Sequence, residues 1–143
     1  MKIELETHEI QTKKIKDIIK ITAVIEADIK KSGVSKGMVN IISPHTTAGI
    51  LVNEGVECVQ TDIHNILDKL APEQGDYLHA RYLDPWGGSA ANAHTHLKNM
   101  LAGIHVFFPI NDGKMVIGGL QDIYFIEFDG PCLRKFIVQI FGQ

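Results

Sequence analysis

Apolar and polar residues alternate along residues 2–7 (KIELET), which is the pattern of a strand with one buried face. From Thr22 the apolar residues follow helical spacing, with charged residues on the opposite side. Gly33 is expected to end this amphipathic helix, because glycine readily adopts the left-handed conformation that closes helices. The chain therefore begins with a strand followed by a helix.

The middle of the chain predicts two more strands and two more helices. The strands are MVNIIS after Gly37 and AGILVNE after Pro44. Apolar residues at helical spacing predict a helix over 56–70, which Pro72 ends, and a short helix over 93–102. Residues 71–92 contain two prolines, three glycines and the only tryptophan, Trp86. So long an irregular stretch in a small domain indicates a functional loop.

The last forty residues predict β-structure throughout. HVFFPI and KMVIGG flank the turn signal Asn111-Asp112-Gly113, and LQDIYFIEF and CLRKFIVQIF flank Asp129-Gly130-Pro131. These strands are apolar on both faces, so we expect them inside a sandwich or at an oligomer interface. The pattern predicts a single compact α+β domain over 1–143.

Composition narrows the class of protein. The chain has 143 residues, of which 45% are hydrophobic and 22% charged, as in an ordinary folded domain. Its net charge of −3 argues against a nucleic-acid binder. No apolar run approaches the roughly 18 residues of a membrane helix. We expect no signal peptide at the start of the chain and free thiols at Cys58 and Cys132, and therefore a cytoplasmic protein.

The seven histidines form none of the standard zinc-binding motifs. His45 nevertheless lies in SPHTTAG, where a turn would bring it together with Thr46 and Thr47. Such a turn can hold an anion on its hydroxyl and backbone groups, while the imidazole binds a metal or moves a proton. The alternative is an ordinary β-turn whose threonines satisfy only local backbone groups.

Further candidates lie in the loop and in the short helix. His79 is in the loop and is either exposed or functional. His94 and His96 are two residues apart and point about 200° away from each other on a helix, so only one can face a given site. We favour His96. Lys98 contacts a phosphate or is simply solvated.

Two acidic residues lie where a carboxylate can act as a ligand or a general base. Glu54 ends the AGILVNE strand. Glu127 lies in the apolar run IYFIEFD, where it either faces solvent or meets a partner, because an unpaired buried charge is costly. Arg134 is the expected partner, across the Asp129-Gly130-Pro131 hairpin, and that pairing would be structural.

The order of these motifs resembles that of one known family. HTTA-x4-NE from His45, Asp62, Tyr77-Leu78-His79, NA-x2-HLK from Asn92 and the tail LQDIYFIEFDGPCLR follow one another over nearly the whole chain. Together they resemble the YjbQ-like family, also described as secondary thiamine-phosphate synthase enzymes. The resemblance implies an α+β domain with a β-sandwich of mostly antiparallel strands, flanked by two to three helices, that assembles into homotrimers.

The resemblance also implies a set of site residues. Three histidines from separate segments would form a zinc-type site with one open position: His45, His79 and His96. The catalytic residues it implies are Glu54, Glu127 and Lys98. The substrate-binding residues it implies are Thr46, Thr47, Asn53, Asn92, Gln121 and Arg134.

This chain departs from the family pattern at two places. Gly119-Leu120 precede Gln121 where the family usually has Thr-Trp, which removes a surface for stacking an aromatic ring. Cys132 stands where the family usually has arginine, which removes a bidentate phosphate contact. Both departures weaken the link to a thiamine precursor.

The leading hypothesis is a transferase that joins a pyrimidine diphosphate to a thiazole phosphate and releases pyrophosphate. The alternatives are a metal-assisted hydrolase with Glu54 or Glu127 as base, a metal-binding module without catalysis, and a structural trimer. The expected partners are a small phosphorylated ligand, a divalent metal such as zinc and two further copies of the chain. Neither a nucleic acid nor a membrane is expected.

Overall fold

The computed structural model describes residues 1–79 and 91–143. Eight strands and three helices lie within these ranges. The strands are β1 (Lys2–Gln11), β2 (Asp17–Lys20), β3 (Lys36–Ile42), β4 (Ala48–Glu54), β5 (His105–Asn111), β6 (Lys114–Met115), β7 (Gln121–Glu127) and β8 (Leu133–Gly142). The helices are α1 (Thr22–Ser32), α2 (Glu57–Leu70) and α3 (Ala93–Ala102). None of these helices has the length and apolar character needed to cross a bilayer.

The strands form two sheets that face each other, and every strand pair is antiparallel. One sheet has the order β1-β8-β3-β5-β6 and the other has the order β2-β7-β4. The main core lies between them and includes Ile25, Ile41, Phe125 and Val138, each completely or almost completely buried. A second core lies on the other face of the smaller sheet, where Tyr124 and Phe128 pack with Leu67 of α2. The α+β sandwich predicted from the sequence is confirmed.

Strand β7 has buried residues on both faces because it is the central strand of the smaller sheet. Ile123 and Phe125 point into the main core, whereas Tyr124 and Ile126 point toward the helices. Its uninterrupted apolar run follows from this position. Glu127 is on the same side of the strand as Phe125 and is therefore directed into the sandwich.

Helix α1 is bound to the edge strand β1 by three polar contacts. Lys2 donates from Nζ to the carbonyl oxygen of Ser32 at 2.9 Å. Lys31 pairs with Glu6 at 2.6 Å, and His8 Nε2 lies 2.6 Å from the Asp28 carboxylate. A helix alongside an edge strand is one way in which proteins protect an edge from pairing with another chain.

Several predicted boundaries and one predicted hairpin were wrong. Strand β2 was not predicted, and β6 covers two residues rather than 114–119. The predicted hairpin at Asp129-Gly130-Pro131 does not form, because β7 and β8 belong to different sheets. That segment carries the chain from one sheet to the other. The turn at Asn111-Asp112-Gly113 is confirmed, with φ of 51° at Asp112 and 72° at Gly113. Trp86 lies outside the described residues.

Candidate functional site

An ion pair crosses the interior at one end of the sandwich. Glu127 of β7 is completely buried, and Arg134 enters from β8 in the opposite sheet. Arg134 Nε donates to Glu127 Oε2 at 2.6 Å and Nη2 donates to Oε1 at 2.7 Å. The predicted partnership is therefore confirmed, although it forms across the two sheets rather than across a hairpin. Its bidentate geometry is the strongest arrangement of these two groups.

Further donors complete the environment of the Glu127 carboxylate. The backbone N–H groups of Phe128 and Asp129 donate to Oε1 at 3.1 and 2.9 Å. The hydroxyl of Thr12, at the end of β1, donates to Oε2 at 3.2 Å. Hydrogen bonding to Glu127 raises the pKa of Arg134. Both charges are thus compensated in a setting where an uncompensated charge would be expensive.

The His45-Thr46-Thr47 turn is attached to this ion pair and to α3. Thr47 is buried, and its hydroxyl accepts a hydrogen bond from Arg134 Nη2 at 3.0 Å. The Asn99 side chain of α3 donates to the carbonyl oxygen of His45 at 3.1 Å. Thr46 is exposed. The turn is therefore held from two sides, with one hydroxyl buried and the other open to solvent.

The His45 imidazole is held by the backbone of Lys135. Its Nε2 lies 2.9 Å from the Lys135 nitrogen and 3.1 Å from the Lys135 carbonyl oxygen. Burial lowers the pKa of His45, and the neighbouring Arg134 guanidinium lowers it further. His45 is therefore neutral at neutral pH. Nε2 accepts from the N–H in one tautomer and donates to the carbonyl in the other, so either tautomer is satisfied.

Helix α3 has its polar side chains turned inward. Thr95, Lys98 and Asn99 are buried, and Lys98 pairs with Asp68 of α2 at 2.6 Å. Burial raises the pKa of Asp68, but hydrogen bonds from Lys16 and Lys98 outweigh this effect and its pKa is lowered. Lys98 is thus a buried cation with a defined partner rather than a solvated lysine.

His94 and His96 point in different directions from α3, as their spacing on a helix requires. The rings of His79 and His96 lie 5.1 Å apart, centroid to centroid. His94 has a buried Nδ1, and burial, followed by the charge of Lys98, lowers its pKa. Asn92 donates to the Asp129 carboxylate at 2.8 Å, which ties the start of α3 to the segment after β7.

Three predicted residues lie at the opposite end of the smaller sheet. Glu54 pairs with Gln121 in the β4–β7 ladder, and Asn53 pairs with Asp122. The other end of the same ladder pairs Ala48 with Glu127. Seven residues of extended strand span about 20 Å. The structure therefore does not bring Asn53, Glu54 and Gln121 to His45 within one chain. Asp62 is exposed on α2.

Within residues 1–79 and 91–143, no group of three histidine, cysteine or acidic side chains is arranged to hold a metal ion. His79 and His96 are in contact, but His45 does not join them in such a group. The metal and catalytic roles expected of these residues remain predictions.

Sequence reasoning missed the residues that hold the site in place. Thr12 follows a strand and carries no motif. Asn99 and Asp68 lie on helices where polar residues are usually solvated. A usable signal was the spacing of Thr95, Lys98 and Asn99, which places three polar groups on one face of α3. Leu97, Met100 and Leu101 occupy another face, so the pattern allowed a helix with its polar side buried.

Comparison with known proteins agrees with the resemblance seen in the motifs. A family profile described as UPF0047 protein YjbQ-like matches residues 6–143. The chain belongs to the YjbQ (UPF0047) family. The YjbQ relatives include MJ1081 of Methanocaldococcus jannaschii, which is 38% identical over 137 residues (95% of this chain and 93% of the relative). YugU of Bacillus subtilis is 33% identical and is covered over 99% of its length, against 96% of this chain.

Solved structures of YjbQ-family proteins have the same fold. A structure from Clostridium acetobutylicum has a TM-score of 0.85 at 39% identity, covering 95% of this chain and 99% of the other. A structure from Sulfolobus solfataricus, described as a protein of unknown function, has a TM-score of 0.91 at 29% identity over 99% of both chains. These comparisons therefore show the fold and the family.

The Glu127→Gln substitution is expected to lower the free energy of unfolding by about 3–5 kcal/mol, because it leaves the Arg134 guanidinium without its charge partner. Urea denaturation measures this change. The matched control is Glu6→Gln, which breaks the exposed pair with Lys31 and is expected to change stability little. Equal effects of the two substitutions would contradict the dominant role of the buried pair.

Stability is expected to fall as pH is lowered from about 7 to about 5. Burial lowers the pKa of His45, His64 and His94 below the ordinary value of 6.5. In this window the unfolded chain therefore binds more protons than the folded one, which favours unfolding. The carboxylates with lowered pKa have ordinary values of 4.5 or below and act at lower pH.

Urea denaturation at pH 7.5 and 5.5 tests this dependence. His64→Gln should reduce the difference between the two pH values, whereas His105→Gln, at an exposed position on β5, should leave it unchanged. A free energy of unfolding that is the same at both pH values would overturn the prediction.

Proposed function

We propose that the chain is an enzyme for a small phosphorylated substrate and that His45 is its proton-transfer group. The hypothesis for the reaction is transfer of the thiamine-phosphate synthase type, which joins a pyrimidine diphosphate to a thiazole phosphate. The single observation that carries the proposal is the position of His45 Nε2 between the N–H and the carbonyl of Lys135. This arrangement supports proton exchange at Nδ1, because the backbone of one residue satisfies both tautomers.

The proposed step uses His45 as a general acid. The bond between the pyrimidine methylene carbon and the diphosphate oxygen breaks, and its electron pair leaves with pyrophosphate. In its protonated form His45 gives its Nδ1 proton to that oxygen and becomes a neutral imidazole whose Nε2–H donates to the Lys135 carbonyl oxygen, and solvent water then returns the proton. The thiazole nitrogen supplies the electron pair for the new carbon–nitrogen bond. The lowered pKa makes the imidazolium form of His45 a stronger acid, which releases its proton readily to the leaving oxygen.

Two other predicted residues receive more specific roles in this proposal. Arg134 is engaged by Glu127 and Thr47, so it orients the turn and contributes positive charge beside His45. Glu127 is a positioning residue, because five hydrogen bonds occupy its carboxylate. The hydroxyl of Thr46 and the ammonium of Lys135 are both exposed and could contact a phosphate group, although the Lys135 ammonium also lies 3.8 Å from the Glu9 carboxylate.

His45→Gln is expected to lower the rate by roughly 10²–10⁴-fold, because it removes the proton-transfer group. The measurement is release of pyrophosphate when the pyrimidine diphosphate and the thiazole phosphate are supplied together. The control is His105→Gln, whose rate should equal that of the parent chain. Full activity of His45→Gln would exclude His45 from the chemistry.

Assays of the parent chain separate the proposed reaction from its alternative. Release of pyrophosphate that needs both substrates supports transfer. Hydrolysis of phosphate or carboxylate esters without that release would replace transfer by the hydrolase alternative. Absence of both activities would overturn the proposal of an enzyme for phosphorylated substrates.

A divalent metal, with zinc as the first candidate, is the proposed cofactor. The contact between the rings of His79 and His96 supports two imidazole ligands. The fit is incomplete, because the described residues contain no group of three ligands. No step of the proposed transfer is therefore assigned to the metal.

Elemental analysis of the purified, untagged chain tests the metal. About one metal ion per chain is expected. His96→Ala should lower this content without unfolding the domain, whereas His105→Ala should leave it unchanged. A folded parent chain without metal, or full metal content in His96→Ala, would remove His96 from any metal site.

A homotrimer is the proposed assembly, and two different exposed apolar surfaces support it. The outer sheet face is the side of the larger sheet that turns away from the core, and it includes Ile3, Leu5 and Phe107, each more than 60% exposed. The α3 stripe consists of Leu97, Met100, Leu101 and Ile104. A ring of three copies needs an interface between two unlike surfaces of the same chain. The two surfaces meet that requirement.

The Asn40 side chain adds a polar requirement to the outer sheet face. Its Oδ1 is buried and has no hydrogen-bond partner, so a donor from a second copy would stabilise it. Sedimentation at micromolar concentration is expected to give the mass of a trimer. Phe107→Glu should reduce that mass, whereas Asn65→Glu on α2 should not. A parent chain that sediments as a monomer would contradict the assembly.

A further inference from the structure

A cleft lies between α1 and the β5–β6 turn, on the side of α1 that faces away from β1. Its volume is about 530 Å³, which falls within the range of small-molecule binding sites. Ile29 and Met115 contribute buried side chains to its lining. Met115 can adapt to different apolar shapes because its side chain is unbranched and flexible.

Each wall of the cleft carries one acidic and one basic side chain. Helix α1 contributes Glu26 and Lys30, which are one helical turn apart. The β5–β6 turn contributes Asp112 and Lys114. All four side chains are exposed, and within the described ranges no ion pair joins any two of them. Groups of both signs therefore line the opening, and the Asp112 carboxylate accepts a hydrogen bond from the Asn111 side chain at 3.2 Å.

The unpaired charges contrast with the other side of the same helix. Toward β1, α1 makes an ion pair from Lys31 to Glu6 and a contact from Asp28 to His8. Toward the β5–β6 turn it leaves a cavity instead. The turn itself is set by the left-handed conformations of Asp112 and Gly113, so the Asp112 carboxylate extends from a constrained backbone.

We propose that this cleft binds a zwitterionic small molecule with an apolar side chain, that is, a free amino acid of the leucine or methionine type. The apolar side chain would contact Met115, which is 9% exposed, whereas Ile29 is 1% exposed and lies behind the accessible surface. The ammonium group would be attracted to Glu26 and Asp112 together, and the carboxylate to Lys30 and Lys114 together. A ligand with one charge would leave half of the opposing charges without a partner. The site shares no residue with the proposed proton-transfer site, so either proposal can fail alone.

Calorimetric titration of the full-length chain with L-leucine tests this site. Leucine is expected to bind, and isoamylamine and 4-methylpentanoate, which are leucine without its carboxylate and without its ammonium group, are expected to bind roughly tenfold more weakly or not at all. Absence of leucine binding at millimolar concentrations overturns the proposal. Equal binding of leucine and its singly charged analogues shows general apolar association and also overturns it.

Variants locate the binding. Lys114→Gln and Glu26→Gln are each expected to weaken leucine binding roughly fivefold to tenfold. Both positions are exposed, so the domain should stay folded. Lys36→Gln and Glu9→Gln remove exposed charges outside the cleft and should leave binding unchanged. Unaltered leucine binding in both cleft variants would place the ligand elsewhere and overturn the assignment.

Discussion

The buried ion pair between Glu127 and Arg134 is the interaction on which the candidate site depends. It joins the two sheets at one end of the sandwich. The Glu127 side chain is completely buried and the Arg134 side chain is 14% exposed, so bulk water cannot replace either partner. Bidentate contact, two backbone N–H groups and the hydroxyl of Thr12 compensate the cost of placing a carboxylate in the core. The pair therefore aligns elements that are distant in the chain.

The same pair governs the chemistry available beside it. Arg134 holds the Thr47 hydroxyl and lowers the pKa of His45 by its charge, after the larger effect of burial. The guanidinium charge disfavours the imidazolium form of His45, so a protonated His45 gives up its proton readily. The structural ion pair and the proposed proton-transfer group thus form one electrostatic unit, in which the Arg134 charge lowers the pKa of His45 and the Glu127 charge raises it.

Helix α3 has one buried polar face and one exposed apolar face. Its inward face carries Lys98 and Asn99, which contact α2 and the His45 turn respectively. Its other face exposes Met100 and Leu101. For a helix in water, burying polar groups and exposing apolar groups are both unfavourable. Polar partners inside the chain compensate the first face, and the proposed assembly would cover the second.

The sequence by itself determined the class of the domain, its three described helices, most of its strands and the family. These features follow from local periodicity and from motifs that are contiguous in the chain. It also indicated that Glu127 needed a partner and that Arg134 was suited to the role. Only the tertiary structure decided that β7 and β8 lie in different sheets, that Thr12 completes the ion pair and that Glu54 lies far from His45. These relations depend on packing between segments that are distant in the chain, and a local sequence pattern contains no information about such packing.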